Sequence, residues 1–504
     1  MNLIDFFVGK HIDSPRKDRA AYLDSEIGQV TYAELFRAAG LFAGLLADAE
    51  VVPRTRAMVL ADDSVATVVA ILGLWWHGCA AVPVNPASAD KEIAFIAADC
   101  GVEFVYLDVP ASRRDGLAAV LPHTAQLDGD TIRELILRQR RSPESSDHAQ
   151  PAPWSPDQVA LLQYTSGSTG VPKGVPHRAA ALISGPAGFG TILALTEADT
   201  VLSTAKLSFA YGFGNSLLLP LHAGATTVLL RGGVDAPVVA HALRRHNPTI
   251  LFSVPRLYAA LIELFDRTAD SRLRVAVAAG EGLPADLSER IMRRLGVPLV
   301  NGLGTTEVLY IAVSTSPSEP APGTIGTPVP GVHATIRGDD GAILTGEEVE
   351  GRLHIACPSV ATGYLDRPEA TRATFDAGGA YTGDIVRRSG AGPIRYLGRA
   401  DDFMNLGGYK VAPADIETVI RAVSGVRDCA VVATEDRHGL AHAVAFVVPD
   451  GRFETAVVRR AVVAALRADL ASFKRPGRVE IVDALPTTST GKLARNQLQA
   501  IGAR

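Results

Sequence analysis

Residues 164–174 read Tyr-Thr-Ser-Gly-Ser-Thr-Gly-Val-Pro-Lys-Gly, and their chemistry is that of a loop that holds phosphate. Gly167, Gly170 and Gly174 let backbone N–H groups approach an anion closely. Thr165, Ser166, Ser168 and Thr169 add hydroxyl donors, and Lys173 adds a full positive charge. The spacing is not that of the Walker loop, because Pro172 precedes the lysine and Gly174 follows it. An apolar run, residues 159–162, comes just before and reads as a strand that delivers the loop.

A second segment, residues 203–220, interleaves Phe209, Tyr211 and Phe213 with Ala210, Gly212 and Gly214. Small residues leave room and rings supply apolar walls, so such a run can line a flat pocket. Taken alone, it reads equally as a buried aromatic cluster that packs a core.

The first segment resembles the phosphate loop of the adenylate-forming superfamily, which holds acyl-CoA synthetases, peptide-synthetase adenylation domains and firefly luciferase. Further motifs fall in that superfamily's order over nearly the whole chain. Lys206-Leu207 and Phe209-Ala210-Tyr211-Gly212 resemble benzoate-CoA ligases most closely. The resemblance implies ATP, Mg²⁺ and CoA as cofactors and an aryl acid as substrate. It implies that residues 165–173 hold the pyrophosphate portion of ATP. It places Gly280, Glu281 and Gly282 beside adenine, and Asn301, Gly302, Leu303, Gly304 and Thr305 in the next nucleotide motif. Leu303 stands where many relatives carry a stacking Tyr. Thr306 is implied at the α-phosphate, with Glu307 and Thr165 at Mg²⁺. A carboxylate beside phosphate oxygens suits that ion.

By the same match, Asp384 holds the ribose, Arg399 reaches the nucleotide, Asp401 is a hinge and Lys492 is the adenylation lysine. Thr487 stands where many relatives carry Lys or Arg. Gly407 and Gly408 line a pantetheine tunnel. Phe209, Ala210, Tyr211, Gly302, Gly304 and Tyr310 surround the acid. Benzoate-type relatives have His where Tyr310 stands. A phenol offers a donor and an acceptor, so a ring hydroxyl or amino substituent is expected, unless Tyr310 only fills volume.

The elements that must position these residues are legible in outline. Short β-branched runs at 226–230, 250–254 and 274–278 alternate with helical patterns at 238–246 and 257–265. That alternation predicts an α/β fold with mostly parallel sheets. Residues 66–84 read as a buried helix, a stop at Gly78 and a buried strand from Ala80 to Val84. After residues 398–402 the chain restarts as a compact unit. It has a helix at 414–422, strands near 428–434 and 442–448, and a helix at 454–470. The expected domains are therefore 1–400, which binds ATP and acid, and 401–504, a small mobile α+β lid carrying Lys492.

Bulk properties narrow the function. Hydrophobic content of 47% and charged content of 20% are those of an ordinary globular chain. A net charge of −5 gives no basic surface for nucleic acid or anionic membrane. The N-terminus has no signal-peptide pattern. Cys79, Cys100, Cys357 and Cys429 show neither metal-ligand nor disulfide spacing, which suggests a cytoplasmic protein. The expectation is a monomer or homodimer with no nucleic-acid or membrane partner. Three alternatives stay open: transfer to a carrier protein, transfer to another acceptor (including adenylation of nitrite), and non-catalytic nucleotide binding.

Overall fold

The computed structural model describes residues 2–118, 121, 125–141, 150–166, 171–265, 270–406, 409–435, 441–487 and 493–502. By internal contacts the chain forms two compact units, one of residues 1–335 and 354–382, the other of 336–353 and 383–504. The expected hinge residue Asp401 lies within the second unit, in the 3₁₀ turn Ala400–Asp402.

The first unit carries two large sheets. In the six-stranded sheet the order is Ala125–Asp128, Phe104–Asp108, Arg56–Ala61, Ala80–Val84, Val159–Ser166 and Pro172–Arg178. Its strands are parallel except the last, which turns back on its neighbour. The nine-stranded sheet has a parallel centre built from Leu299–Gly304, Val275–Ala279, Ile250–Ser253, Thr200–Ser203, Thr226–Val228 and Ala20–Asp24. Such strands are covered on both faces and so read as continuous apolar runs. Val275–Ala279 and Ile250–Ser253 are buried at every position.

The helix Val65–His77 shows how sequence sets an element. Ser64 caps it, its hydroxyl accepting from the Thr67 N–H, and Gly78 ends it at φ 87°. Every residue from Val65 to Trp76 is buried, so this part of the apolar stretch is a core helix. Among the described residues no helix is long and apolar enough to cross a membrane.

Several strand ends differ from the sequence expectation, among them the run expected at 250–254, which ends at Ser253. The run expected at 226–230 pairs only over Thr226–Val228, and 274–278 shifts by one to Val275–Ala279. Pairing depends on the neighbour's length, which local β-propensity does not record.

In the second unit, the antiparallel strands Val426–Glu435 and Ala441–Pro449 are joined in parallel by Arg478–Ile481. Helices Pro413–Arg421 and Thr455–Asp469 bury their apolar faces in the same core.

Candidate functional site

The phosphate motif is not a free loop over its whole length. Its flanks are the strands of a β-hairpin, Val159–Ser166 and Pro172–Arg178, with Thr165 opposite Lys173 and Tyr164 opposite Gly174. Gly, Ser and Thr content suggested a loop, but Tyr and Thr flanks favour extended pairing. Gly167, Ser168, Thr169 and Gly170 lie outside the described residues, as do Gly407, Gly408 and Lys492. Nothing of the Ser166 side chain is described either.

Alternation along the strands puts Gln163, Thr165, Lys173, Val175 and His177 on one face. Tyr164 points the other way, and its hydroxyl donates to Asp99 Oδ2 at 2.8 Å. Arg367 also pairs with Asp99, and the Leu365 N–H donates to the Gly174 carbonyl at 2.8 Å. Ala361 N–H donates to the Glu307 carbonyl at 2.9 Å, and Ser359 Oγ to the Val308 carbonyl at 2.8 Å. The segment 359–367 is thereby stitched both to the hairpin and to the Thr306–Val308 turn.

Tyr364, on that segment, joins the two expected phosphate-side groups. Its hydroxyl donates to Glu307 Oε1 at 2.6 Å, and Lys173 Nζ lies 5.1 Å from its ring centroid. The ring face attracts the ammonium while the hydroxyl orients the carboxylate. A positive charge and an oriented carboxylate on one scaffold suit a polyphosphate with its counter-ion. Among the described residues no group of three or more His, Cys, Asp or Glu could hold a metal by itself. The oxygen donors of Glu307 and Thr165 fit Mg²⁺, which takes one or two carboxylates and leaves the rest to phosphate and water. Deeper on the same face, His177 is fully buried, and burial pushes its imidazole down to about 3.

Glu307 stands between strands Leu299–Gly304 and Ile311–Ser314, a second hairpin whose turn includes Leu309 at φ 72°. Asn301 anchors this hairpin, its side-chain N–H donating to the Thr324 carbonyl at 2.7 Å. Leu303 is half-buried, Gly304 exposed, and Thr305 precedes the 3₁₀ turn. Gly280 follows its strand at φ 88°, two residues before Gly282, and Glu281 Oε1 pairs with Arg256 Nε at 3.4 Å.

Where the acid is expected, Phe209 precedes the short helix Ala210–Phe213, which continues as a π-helical turn, Gly214–Leu218. Such turns re-aim side chains that a regular helix would place elsewhere. Tyr310 packs between Phe189, edge-on at 5.8 Å, and Tyr211, near-parallel at 6.4 Å. A Cβ at Gly214 would overlap the Tyr310 ring, and one at Gly304 its carbonyl, so both positions need glycine. Gly302 is similarly crowded by Ile311.

The hydroxyl of Tyr310 donates to Asn215 Oδ1, and the Asn215 amide donates to Ser203 Oγ at 3.1 Å. Tyr211 donates to the Val277 carbonyl at 3.3 Å. Burial pushes both phenols well up, so each keeps its proton. Both hydroxyl protons are committed to the protein. Of the donor and acceptor expected of Tyr310, the acceptor lone pairs are what its oxygen still offers.

In the second unit Asp384 lies opposite Arg399 across two paired strands, and Arg399 Nη1 donates to its Oδ1 at 3.0 Å. The Thr-Gly-Asp tripeptide reads as a turn, yet it sits inside the strand Gly379–Ser389, with Gly383 at φ 78°. A side chain at Gly383 would strike the Arg399 guanidinium. Tyr364, Asn215 and Phe189 are the residues that sequence reasoning missed.

Comparison with known proteins identifies the family. The AMP-binding enzyme family matches residues 11–365, and the AMP-binding enzyme C-terminal domain matches residues 415–492. The chain is 33% identical to a benzoate–CoA ligase of Thauera aromatica, over 99% of this chain and 96% of that one. It is 32% identical to a 4-hydroxybenzoate–CoA/benzoate–CoA ligase of Rhodopseudomonas palustris, over 98% and 93%. A crystal structure of an anthranilate–CoA ligase with anthranoyl-AMP superposes with a TM-score of 0.90, at 27% identity over 100% of this chain and 97% of that one. The chain belongs to the AMP-binding enzyme family, among the aryl-acid ligases of the adenylate-forming superfamily.

Proposed function

We propose that the protein activates a substituted benzoate with ATP to give an aryl-adenylate and pyrophosphate, then transfers the aryl group to CoA and releases AMP. The observation that carries this reading is the grouping of Lys173 and Glu307 around Tyr364, in a fold similar to that of an anthranilate–CoA ligase.

The substrate carboxylate is ionised at neutral pH and attacks the α-phosphorus without a general base. Charge builds on the phosphate, so cations aimed at it carry most of the catalysis. In this reading Lys173 and residues 165–170 hold the departing pyrophosphate, and Thr306 contacts the α-phosphate. Glu307 and Thr165 hold Mg²⁺, which neutralises phosphate charge when bound. Gly280, Glu281, Gly282 and residues 301–305 border adenine, with Leu303 giving an apolar contact. Asp384 and Arg399 serve the ribose and nucleotide. Lys492 supplies the adenylation charge. Asp401 is the hinge between domains 1–400 and 401–504, and Gly407 and Gly408 admit pantetheine.

The acid lies among Phe209, Ala210, Tyr211, Gly302, Gly304 and Tyr310. Because the Tyr310 proton is given to Asn215, the favoured ring substituent is itself a donor, amino or hydroxyl. The reading assigns the enzyme to the cytoplasm, working as a monomer or homodimer.

The test is product identification by mass after incubation with Mg-ATP, CoA and either benzoate or its amino and hydroxy derivatives. Aryl-CoA from the donor-substituted acids, with methoxy analogues turned over more slowly, is the expected result. Equal turnover of all of them would sink the substituent assignment. Accumulation of aryl-AMP without thioester would redirect the search to a carrier protein or another acceptor.

A further inference from the structure

Three charged groups outside the pocket hold the segment from which its walls spring. Strand Arg56–Ala61 ends in Asp62 and Asp63, at the carboxyl edge of the six-stranded sheet. Strand Thr200–Ser203 ends just before Lys206 and Leu207, at the carboxyl edge of the nine-stranded sheet. The two edges are joined. Lys206 Nζ donates to Asp62 Oδ1 at 2.8 Å and to the Leu230 carbonyl at 2.7 Å. The Leu207 N–H donates to Asp63 Oδ1 at 2.9 Å. The remaining Asp62 oxygen accepts from the Gly232 N–H.

These bonds reach the acid pocket through the backbone. The Lys206 carbonyl accepts from the Phe209 N–H at 3.0 Å and sets the turn that starts the helix Ala210–Phe213. A Cβ at Gly212 would collide with that same carbonyl, so the helix rests directly on residue 206. The positions of Ala210 and Tyr211 therefore follow the positions of Lys206 and Leu207.

Asp63 is fully buried, and placing an unneeded carboxylate there is unfavourable. Burial pushes its carboxyl up to about 7, against the pull of Lys206 and the Leu207 N–H, with Asp62 pushing the same way as burial. Tyr22 also feels its charge, and burial keeps Tyr22 protonated.

We propose that Asp62, Asp63 and Lys206 form an inter-sheet clamp that positions the 208–211 segment, making them positioning residues for acid selection rather than for nucleotide binding. This rests on the reading of residues 209–211 as pocket walls. A clamp that only stabilised the fold would lower activity towards every substrate alike. One that aims the pocket wall changes acid recognition alone.

The experiment is steady-state kinetics of Asp63→Leu, Asp63→Asn, Lys206→Met and Lys206→Arg with Mg-ATP, CoA and a panel of substituted benzoates. Asp63→Leu and Lys206→Met are expected to raise KM for the acid about tenfold while KM for ATP stays within about twofold. Asp63→Asn keeps an acceptor for the Leu207 N–H, and Lys206→Arg keeps a cation for Asp62, so both should recover most of the loss. Parallel changes in acid and ATP parameters, or an unchanged acid KM, would overturn the clamp. If Asp63→Leu does not fold, the Lys206 pair decides alone. If the wild type prefers a non-aryl acid, the pocket reading fails, and the same KM split measured on that acid still decides the clamp.

Discussion

The proposed phosphate side and the proposed acid side of the first unit solve opposite problems. On the phosphate side, Lys173 and Glu307 are half-buried and gathered around Tyr364, and the hairpin that carries Lys173 packs Tyr164 away from it. Charge does the work there, and it must stay near water until a polyphosphate arrives. On the acid side, Tyr310 and Asn215 are buried, their polar atoms satisfied by each other, and glycines at 214 and 304 let rings and backbone close up. Shape does the work there. The lesson is that substitutions on one side should leave the other's substrate untouched.

The largest expected effect breaks the comparison at its catalytic end. Lys492→Ala should lower adenylation by about 10²–10³-fold while sparing thioester formation from supplied aryl-AMP within a few-fold. Equal loss of both half-reactions, measured separately, would remove the lysine from its role.

Next come the phosphate-side groups. Glu307→Gln should raise the Mg²⁺ concentration needed for half-maximal rate and cost about a hundredfold in rate. Tyr364→Phe removes one charge-assisted hydrogen bond and should cost about tenfold, also read in Mg-ATP dependence. The order of preference among aryl acids should not change in either variant. A changed acid order would merge two sides that the account keeps apart.

On the acid side, Tyr310→Phe leaves Asn215 Oδ1 without its donor. The expected outcome is a loss of about tenfold in preference for donor-substituted acids over benzoate, with KM for ATP unmoved. Stability should fall by about 1–3 kcal/mol, read as a denaturant midpoint.

The smallest effect is on stability against pH, and the two sides oppose each other. His177 on the phosphate side has its folded pKa pushed down to about 3 from 6.5. As pH falls below 6.5 the unfolded state gains a proton that the folded state refuses, so stability is lost on acidification. Asp63 on the acid side has its folded pKa raised to about 7 from 3.8. As pH falls below 7 the folded state gains the proton first, so stability rises on acidification until about 3.8. Each acts with a slope of up to about 1.4 kcal/mol per pH unit, and between about pH 3.8 and 6.5 they offset one another. Relative to wild type, His177→Gln should gain stability across that window as pH falls, and Asp63→Asn should lose it. Parallel midpoint curves for all three proteins would contradict the buried state of both groups.

Much of this was legible in the sequence, for local reasons. The strands at 80–84 and 250–253, the helix ended by Gly78 and the Gly/Ser/Thr run with Lys173 each carry their signal within a few residues. What stayed hidden depends on contacts between distant segments. Tyr364 meets Glu307 from 57 residues away, and nothing in its own neighbourhood marks it. Asn215 meets Tyr310 across 95 residues, through a π-helical turn that no apolar periodicity predicts. Asp63 carries no local mark of burial, yet it is buried against a segment 144 residues on. Pairing also converted the flanks of an apparent loop into the strands of a hairpin.

The central claim is that this fold couples ATP cleavage to a substituted benzoate. Pyrophosphate release with Mg-ATP, measured across benzoate, its amino and hydroxy derivatives and a long-chain fatty acid, with and without CoA, tests it most directly. The account predicts release with the donor-substituted benzoates and a matching aryl-CoA when CoA is present. Release driven by the fatty acid alone, or by no carboxylic acid at all, would contradict it.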